Sequence, residues 1–266
     1  MTTANLHHTT RQASAARLLA LAVLIAIALG LYVGLRASHH GKIIFQPRFR
    51  GSGLVTNEYA YFNPRSPLAV RSSDWVVTSG SLFALDGGGW TGVPDGRDPN
   101  ATSSSATDSA VFRLRTRRAD FENVVVSFDL RVARFVTTPR TPAQTYDGVH
   151  VWLRYQDANW LYFASVSRRD GEIVIGKKLP AQGGGRYYHL VRVPGHLFPL
   201  GRWEHVQVAI DTKGTTVVIR VDVDGGRLAV MVDDGRQGQT ILRSGAVGIR
   251  GDNADFRFKS FEVRAP

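Results

Sequence analysis

The side chains that could do chemistry gather between positions 149 and 193. Strict alternation in 149–155 sets Val149, Val151, Leu153 and Tyr155 on one side of a strand and His150, Trp152 and Arg154 on the other. In 160–166 the same period separates Leu161, Phe163 and Ser165 from Trp160, Tyr162, Ala164 and Val166. One side is aliphatic and suits a core. The other is predicted to carry His150, Trp152, Arg154, Trp160 and Tyr162, joined by Lys177 and Tyr187 from later strands. Aromatic faces of this kind stack on sugar C–H surfaces, while basic groups bond hydroxyls or pair with carboxylates. The competing reading packs the same rings beneath a loop.

The elements that must position these residues are strands. From Asn57 onward, short alternating runs are broken by Gly, Asp, Asn or Pro, and no segment sustains a 3.6-residue period. Candidate strands are 74–78, 81–85, 110–116, 123–134, 147–155, 159–167, 172–178, 187–193, 203–211, 215–223, 227–233 and, in pieces, 244–263. Three hairpin turns follow from composition: 155–159, Arg169-Asp170-Gly171, and Asp224-Gly225-Gly226. About twelve strands in about 210 residues suit an all-β, two-sheet antiparallel jelly-roll sandwich. No Pro/Ser-rich linker divides residues 57–266, so they read as one domain.

Ahead of it, residues 18–35 (LLALAVLIAIALGLYVGL) carry no charge and lie between Arg17 and Arg36. A helix of this run would be about 27 Å long, near the thickness of a bilayer's hydrocarbon layer. The expectation is one N-terminal transmembrane helix, an uncleaved signal anchor, with 1–17 as a basic tail and 36–56 as a basic stalk; the alternative is a removed signal peptide, which would leave the domain secreted. Arg11 and Arg17 precede the span; Arg36, Lys42, Arg48 and Arg50 follow it. Counted alone, these charges would point the large domain inward. A short tail with two arginines before a single span is, however, the layout of chains that send the C-terminal domain outward. The expected localisation is therefore a single-pass membrane protein with an extracytoplasmic domain.

The C-terminal half carries a recognisable combination. It comprises GRWEHVQV at 201–208, VVIRVDVDGGRL at 217–228, GAVGIR at 245–250 and FRFKSFEV at 256–263. With DGVHVWLRYQDANWLYFASVSRRDGEIVIGKK before it, this resembles the concanavalin A-like lectin/glucanase superfamily, in its laminin-G-like and glycan-binding or glycan-hydrolase-like branch. The likeness covers 110–263 and, more weakly, 57–109. It implies the jelly roll and a glycan or polysaccharide partner, and leaves activity open among lectins, adhesion modules, hydrolases and lyases. The Glu-x-Asp-x-x-Glu strand of the glucanase type is absent: the five glutamates, Glu58, Glu122, Glu172, Glu204 and Glu262, are scattered. For a polysaccharide lyase the resemblance would put proton abstraction and carboxylate neutralisation on His150, Arg154, Tyr187 and His189, although Gly148 breaks the Gln-x-His spacing. No cofactor is required by these readings. A structural Ca²⁺ is the one metal the likeness suggests, with Asp252, Asn253 and Asp255 as oxygen donors, since Lys259 and Ser260 stand where the usual acid would be.

Composition narrows the partners. The 266 residues hold no cysteine, which excludes disulfide and thiolate–metal scaffolds. The net charge of +11 invites nucleic acid, yet six of the 33 basic residues and none of the 22 acidic ones lie in 1–50, leaving +5 for the rest. No nucleic-acid motif accompanies it, so anionic headgroups or acidic glycans are the expected partners, and oligomeric state stays open. Arg113, Arg115 and Arg117 share one strand face that could meet an acidic glycan or simply face solvent. No Ser–His–acid set can be assembled by spacing alone.

Overall fold

The computed structural model describes residues 41–95 and 111–266, and within them the alternating runs become two antiparallel sheets. The predicted basic tail at 1–17 and the predicted span at 18–35 lie outside the described residues. Among those described, no helix is long and apolar enough to cross a membrane. One compact unit covers Ile43–Ala265.

The nine-stranded sheet contains β1 (Ile43–Phe45), β2 (Gly53–Asn57), β4 (Ser81–Leu85), β5 (Gly88–Trp90), β7 (Val124–Phe135), β12 (Glu204–Lys213), β13 (Thr216–Val223), β14 (Gly226–Asp233) and β16 (Ala254–Arg264). Its order is β14-β13-β12-β7-β16-β5-β4-β2, with β1 also on β16. The seven-stranded sheet contains β3 (Trp75–Ser79), β6 (Val111–Thr116), β8 (Gly148–Asp157), β9 (Trp160–Arg168), β10 (Ile173–Ala181), β11 (Gly184–Val193) and β15 (Ala246–Asp252), in the order β11-β10-β9-β8-β15-β6-β3. Among the described residues, one short helix, α1 (Tyr59–Phe62), follows β2.

Between the sheets lies one apolar core. Val126, Phe128 and Leu130 of β7, Val206 and Val208 of β12, and Phe256 and Phe258 of β16 meet Val149, Val151 and Leu153 of β8, Ile175 of β10 and Ile249 of β15. Each such side chain contributes about 1.5–3 kcal/mol by leaving water. The β13–β14 hairpin turns as its residues dictate, Asp224 and Gly225 taking φ of 48° and 77°, the paired positive values that tight hairpins need.

Three expectations are corrected here. Residues 43–56 are not stalk: β1 and β2 join the sheet, and Phe45 and Phe49 pack on Trp75, Phe258 and Phe261. The faces of β9 are exchanged. Tyr162, Ala164 and Val166 enter the core, because Val151 pairs with Ala164 and Leu153 with Tyr162. Both faces of β9 are apolar, so alternation alone could not orient it. Finally, Arg154 takes φ 47° where the β8–β9 register shifts, so it points into the sandwich and Tyr155 takes the outer face beside Trp152.

Candidate functional site

The outer face of the seven-stranded sheet carries a second apolar cluster of Trp152, Tyr155, Leu161, Phe163, Val174 and Ala246. Trp152 and Tyr155 stack with centroids 5.0 Å apart. Gly248 makes room for that ring: a Cβ there would stand 2.4 Å from the Leu114 carbonyl oxygen and 3.2 Å from the Trp152 indole. The sheet also curls strongly. β11 and β15 are four strands apart, about 19 Å if flat, yet Arg250 of β15 donates to the Tyr187 hydroxyl of β11 at 3.1 Å.

Beneath this bridge is a cavity of about 410 Å³. His150, Trp152, Phe163, Tyr187, His189 and Asp252 line it, with Leu161, Ser165, Arg168, Arg192, Arg250, Thr145 and Tyr146 completing its wall. Phe163 meets Tyr187 and His189 edge-on at 5.7 and 5.9 Å. The rings thus form apolar walls around a polar chain.

Its groups stand close to one another, the His150–Asp252 step being a close contact rather than an aligned hydrogen bond. Ser165 Oγ and His150 Nδ1 are 2.7 Å apart, and His150 Nε2 lies 3.1 Å from Asp252 Oδ2. Arg250 Nη2 donates to Asp252 Oδ1 at 2.8 Å, and Nη1 reaches Tyr187. Burial is the largest influence on Asp252 and pushes its carboxyl up, but Arg250 and His150 together outweigh it and hold the group well below the ordinary carboxylate range. Burial lowers His150 despite Asp252, so its imidazole is neutral at pH 7. Burial also lowers His189, helped by Arg192 and Arg168. The cavity therefore presents one carboxylate already committed to a guanidinium, neutral imidazoles, and a tyrosine hydroxyl fixed from behind. Such an arrangement can orient hydroxyl and carboxylate groups; its lone paired carboxylate is not the acid/base pair that glycoside hydrolysis uses.

The residues expected from sequence divide into two groups. His150, Trp152, Tyr187, His189 and Asp252 converge on the cavity. Arg154, Tyr162 and Lys177 do not, because each is buried between the sheets. Arg154 donates to the Glu122 and Ile241 carbonyl oxygens, to Asn123 Oδ1 and to Thr212 Oγ1. Lys177 Nζ contacts both Asp233 oxygens at 2.9 and 2.8 Å and the Gly238 and Gln239 carbonyl oxygens. Tyr162 donates to Asp233 Oδ2 at 2.6 Å, and its hydroxyl accepts from the Ile241 N–H. Trp160 packs against the core. The three oxygen donors proposed for Ca²⁺ point apart. Asp252 serves Arg250, Asn253 Nδ2 donates to Asp147 Oδ1, and Asp255 Oδ1 accepts from Trp90 Nε1. They do not form one coordination shell, and among the described residues no group of three or more His, Cys, Asp or Glu could hold a metal ion.

Phe163, Ser165, Arg168, Arg192 and Arg250 were not anticipated in this cavity. The signal for Arg250 was present in β15, where Val247 and Ile249 alternate with Gly248, Arg250 and Asp252.

No family model matches the chain, and no curated protein matches its sequence. Solved structures do. A non-specific endo-beta-1,3(4)-glucanase from family GH16 superposes with a TM-score of 0.51 at 11% identity, covering 85% of this chain and 91% of that one. A Bacillus subtilis protein of unknown function with a galectin-like fold gives 0.50 at 11% identity, over 84% and 97%. The fold is the concanavalin A-like jelly roll that the C-terminal motifs resemble. At this identity the likeness extends to fold alone.

Proposed function

We propose that the curled face of the seven-stranded sheet binds a glycan in the cavity under Tyr187 and Arg250. The observation that carries this reading is the cavity's make-up: aromatic walls from Trp152, Phe163 and Tyr187 around polar groups fixed in advance by the Ser165–His150–Asp252–Arg250–Tyr187 chain. A sugar ring has apolar C–H faces and polar edges, and such a pocket matches both while sparing the ordering cost of free side chains. Binding is favoured over hydrolysis because Asp252 is held ionised against Arg250 and cannot serve as a general acid. The test is titration of the full chain in detergent with an oligosaccharide panel, read by tryptophan fluorescence. At least one sugar should bind, and Trp152→Ala should weaken it tenfold or more; a panel with no binder overturns the reading.

A second reading is favoured by one contact. The Tyr187 hydroxyl lies 3.1 Å from Arg250 Nη1, as a phenolic base beside a carboxylate-neutralising cation would in β-elimination of a uronate polymer. Release of unsaturated ends, lost in Tyr187→Phe, would establish it. For location, we propose that residues 18–35 anchor the chain and that the domain lies outside the cytoplasm. The cysteine-free sequence makes the test simple: a single introduced cysteine at exposed Leu197 should react with a membrane-impermeant maleimide in intact cells. Protection until lysis would reverse that topology.

A further inference from the structure

Beyond the Trp152–Tyr155 stack, the same face holds a second cavity of about 460 Å³. Arg113, Arg115, Tyr155, Tyr61, Phe62 and Thr78 line it, with Asp157 as the one carboxylate of its wall. Its two arginines alternate with core-facing Phe112 and Leu114, so β6 aims both outward. Arg113 pairs in register with Arg250 of the first cavity, and Arg115 with Gly248, beneath the Trp152 ring. The two cavities therefore adjoin on one face, with the stacked pair of rings between them.

Arg113 and Arg115 have no ion-pair partner among the described residues, unlike five other arginines of the domain. Arg168, Arg192, Arg220, Arg227 and Arg257 each have a carboxylate within 3.4 Å. The Arg113 side chain makes no hydrogen bond or ion pair with any described residue, though it is half-buried and in register with Arg250. Burial, and then Arg250, lower its pKa by more than Asp252 raises it, so the site bears a cost for keeping this cation there. Arg115 bonds only the Thr116 carbonyl oxygen and lies 5.9 Å over the Tyr155 ring. A cation held partly desolvated next to a like charge, facing a cavity rimmed by half-exposed Tyr61 and Phe62, fits an anionic group that arrives with the ligand.

We infer that Arg113 and Arg115 form a second subsite, for a carboxylate or sulfate substituent, and that the ligand of this face is a polyanionic sugar chain long enough to occupy both cavities. This rests on the glycan reading of the first cavity. The concavity, with two pockets in line, suits a chain rather than a flat lipid surface.

The experiment titrates the full chain in detergent with three probes: oligogalacturonate, a sulfated heparin oligosaccharide and a neutral β-glucan oligosaccharide. Wild type is compared with Arg113→Gln and Arg115→Gln, each in a salt series. At least one anionic oligomer should bind more tightly than the neutral one, Arg113→Gln should weaken it about tenfold, and the salt dependence should become shallower. Whether the uronate or the sulfated probe responds identifies the anion. Sugar binding that both variants leave unchanged overturns the second subsite and spares the first cavity. Failure of every sugar overturns both. Binding to phosphatidylglycerol vesicles that Arg113→Gln abolishes, with no oligouronate or heparin binding, overturns the inference in favour of a lipid surface. Melting temperatures of the variants within a few degrees of wild type show that a lost affinity is not lost folding.

Discussion

Asp252→Asn tests whether the polar chain of the first cavity is held by charge. The carboxylate is nearly inaccessible, at 6% side-chain exposure, and faces Arg250 at 21% and His150 at 9%. The amide keeps the shape of the side chain but removes the negative charge, leaving the Arg250 guanidinium partly buried without a counter-ion. Breaking one side of such a pair costs about 3–5 kcal/mol. For a domain of this size each kcal/mol moves the melting temperature by about 2–4 °C, so a drop of about 10 °C is expected by calorimetry at pH 7. Asp129→Asn is the matched control. Its partner, His205, lies 2.8 Å away, but the two side chains are 27% and 43% exposed, so the loss should stay below about 1 kcal/mol. Equal, small shifts in both variants would refute the view that burial makes the Asp252 pair structural.

Other consequences can be checked alongside it. Lys177→Met should destabilise by about 3–5 kcal/mol in urea unfolding, because it strands the Asp233 carboxylate between the sheets; Lys177→Met combined with Asp233→Leu should recover most of that loss, and no recovery would mean the pair is not coupled. Stability should fall on acidification. His150 is held below its ordinary 6.5 chiefly by burial, so the unfolded chain binds that proton more readily; the contribution is complete above 6.5 and is lost as pH falls from 6.5 through the folded value. Burial sets His189 and His196 in the same direction. Asp252, held below 3.8, adds a further loss that begins below that pH. His150→Gln should flatten the first step in a melting-temperature series against pH, and an unchanged step would assign it elsewhere. Gly248→Ala should push β15 away from the Leu114 carbonyl oxygen of β6, crowd the Trp152 ring and weaken sugar binding; retained affinity in a folded variant would show that the ring's seat is not critical.

Much of the fold was readable because its signals are local. The Asp224-Gly225 turn and the alternation in β12, β13 and β8 as far as Leu153 depend only on neighbouring residues, and each lies where the pattern put it. The failures share a non-local cause. β9 has apolar side chains on both faces, and only its pairing with β8 decides that Phe163 faces out and Tyr162 in. Arg154 departs from alternation through a positive φ that no residue type at 154 announces. Lys177 reads as a surface cation, yet Asp233, 56 residues later, neutralises it in the core. β1 and β5 are three residues each, too short to show a period, and β5 begins Gly88-Gly89 because Phe258 lies where their side chains would be. The cavity itself was half legible: His150, Trp152, Tyr187 and His189 stood out by type, whereas Arg250 and Ser165 gain meaning only once the sheet curls.

The central claim is that this curled face binds sugar through the rings and fixed polar groups of the first cavity. The most direct measurement is the affinity of the full chain in detergent for the oligosaccharide panel, with Trp152→Ala and Tyr187→Ala beside wild type. Wild type should bind saturably, and binding should weaken tenfold or more in both variants while their folds persist. Binding that neither variant alters, or no binding by wild type, would contradict it.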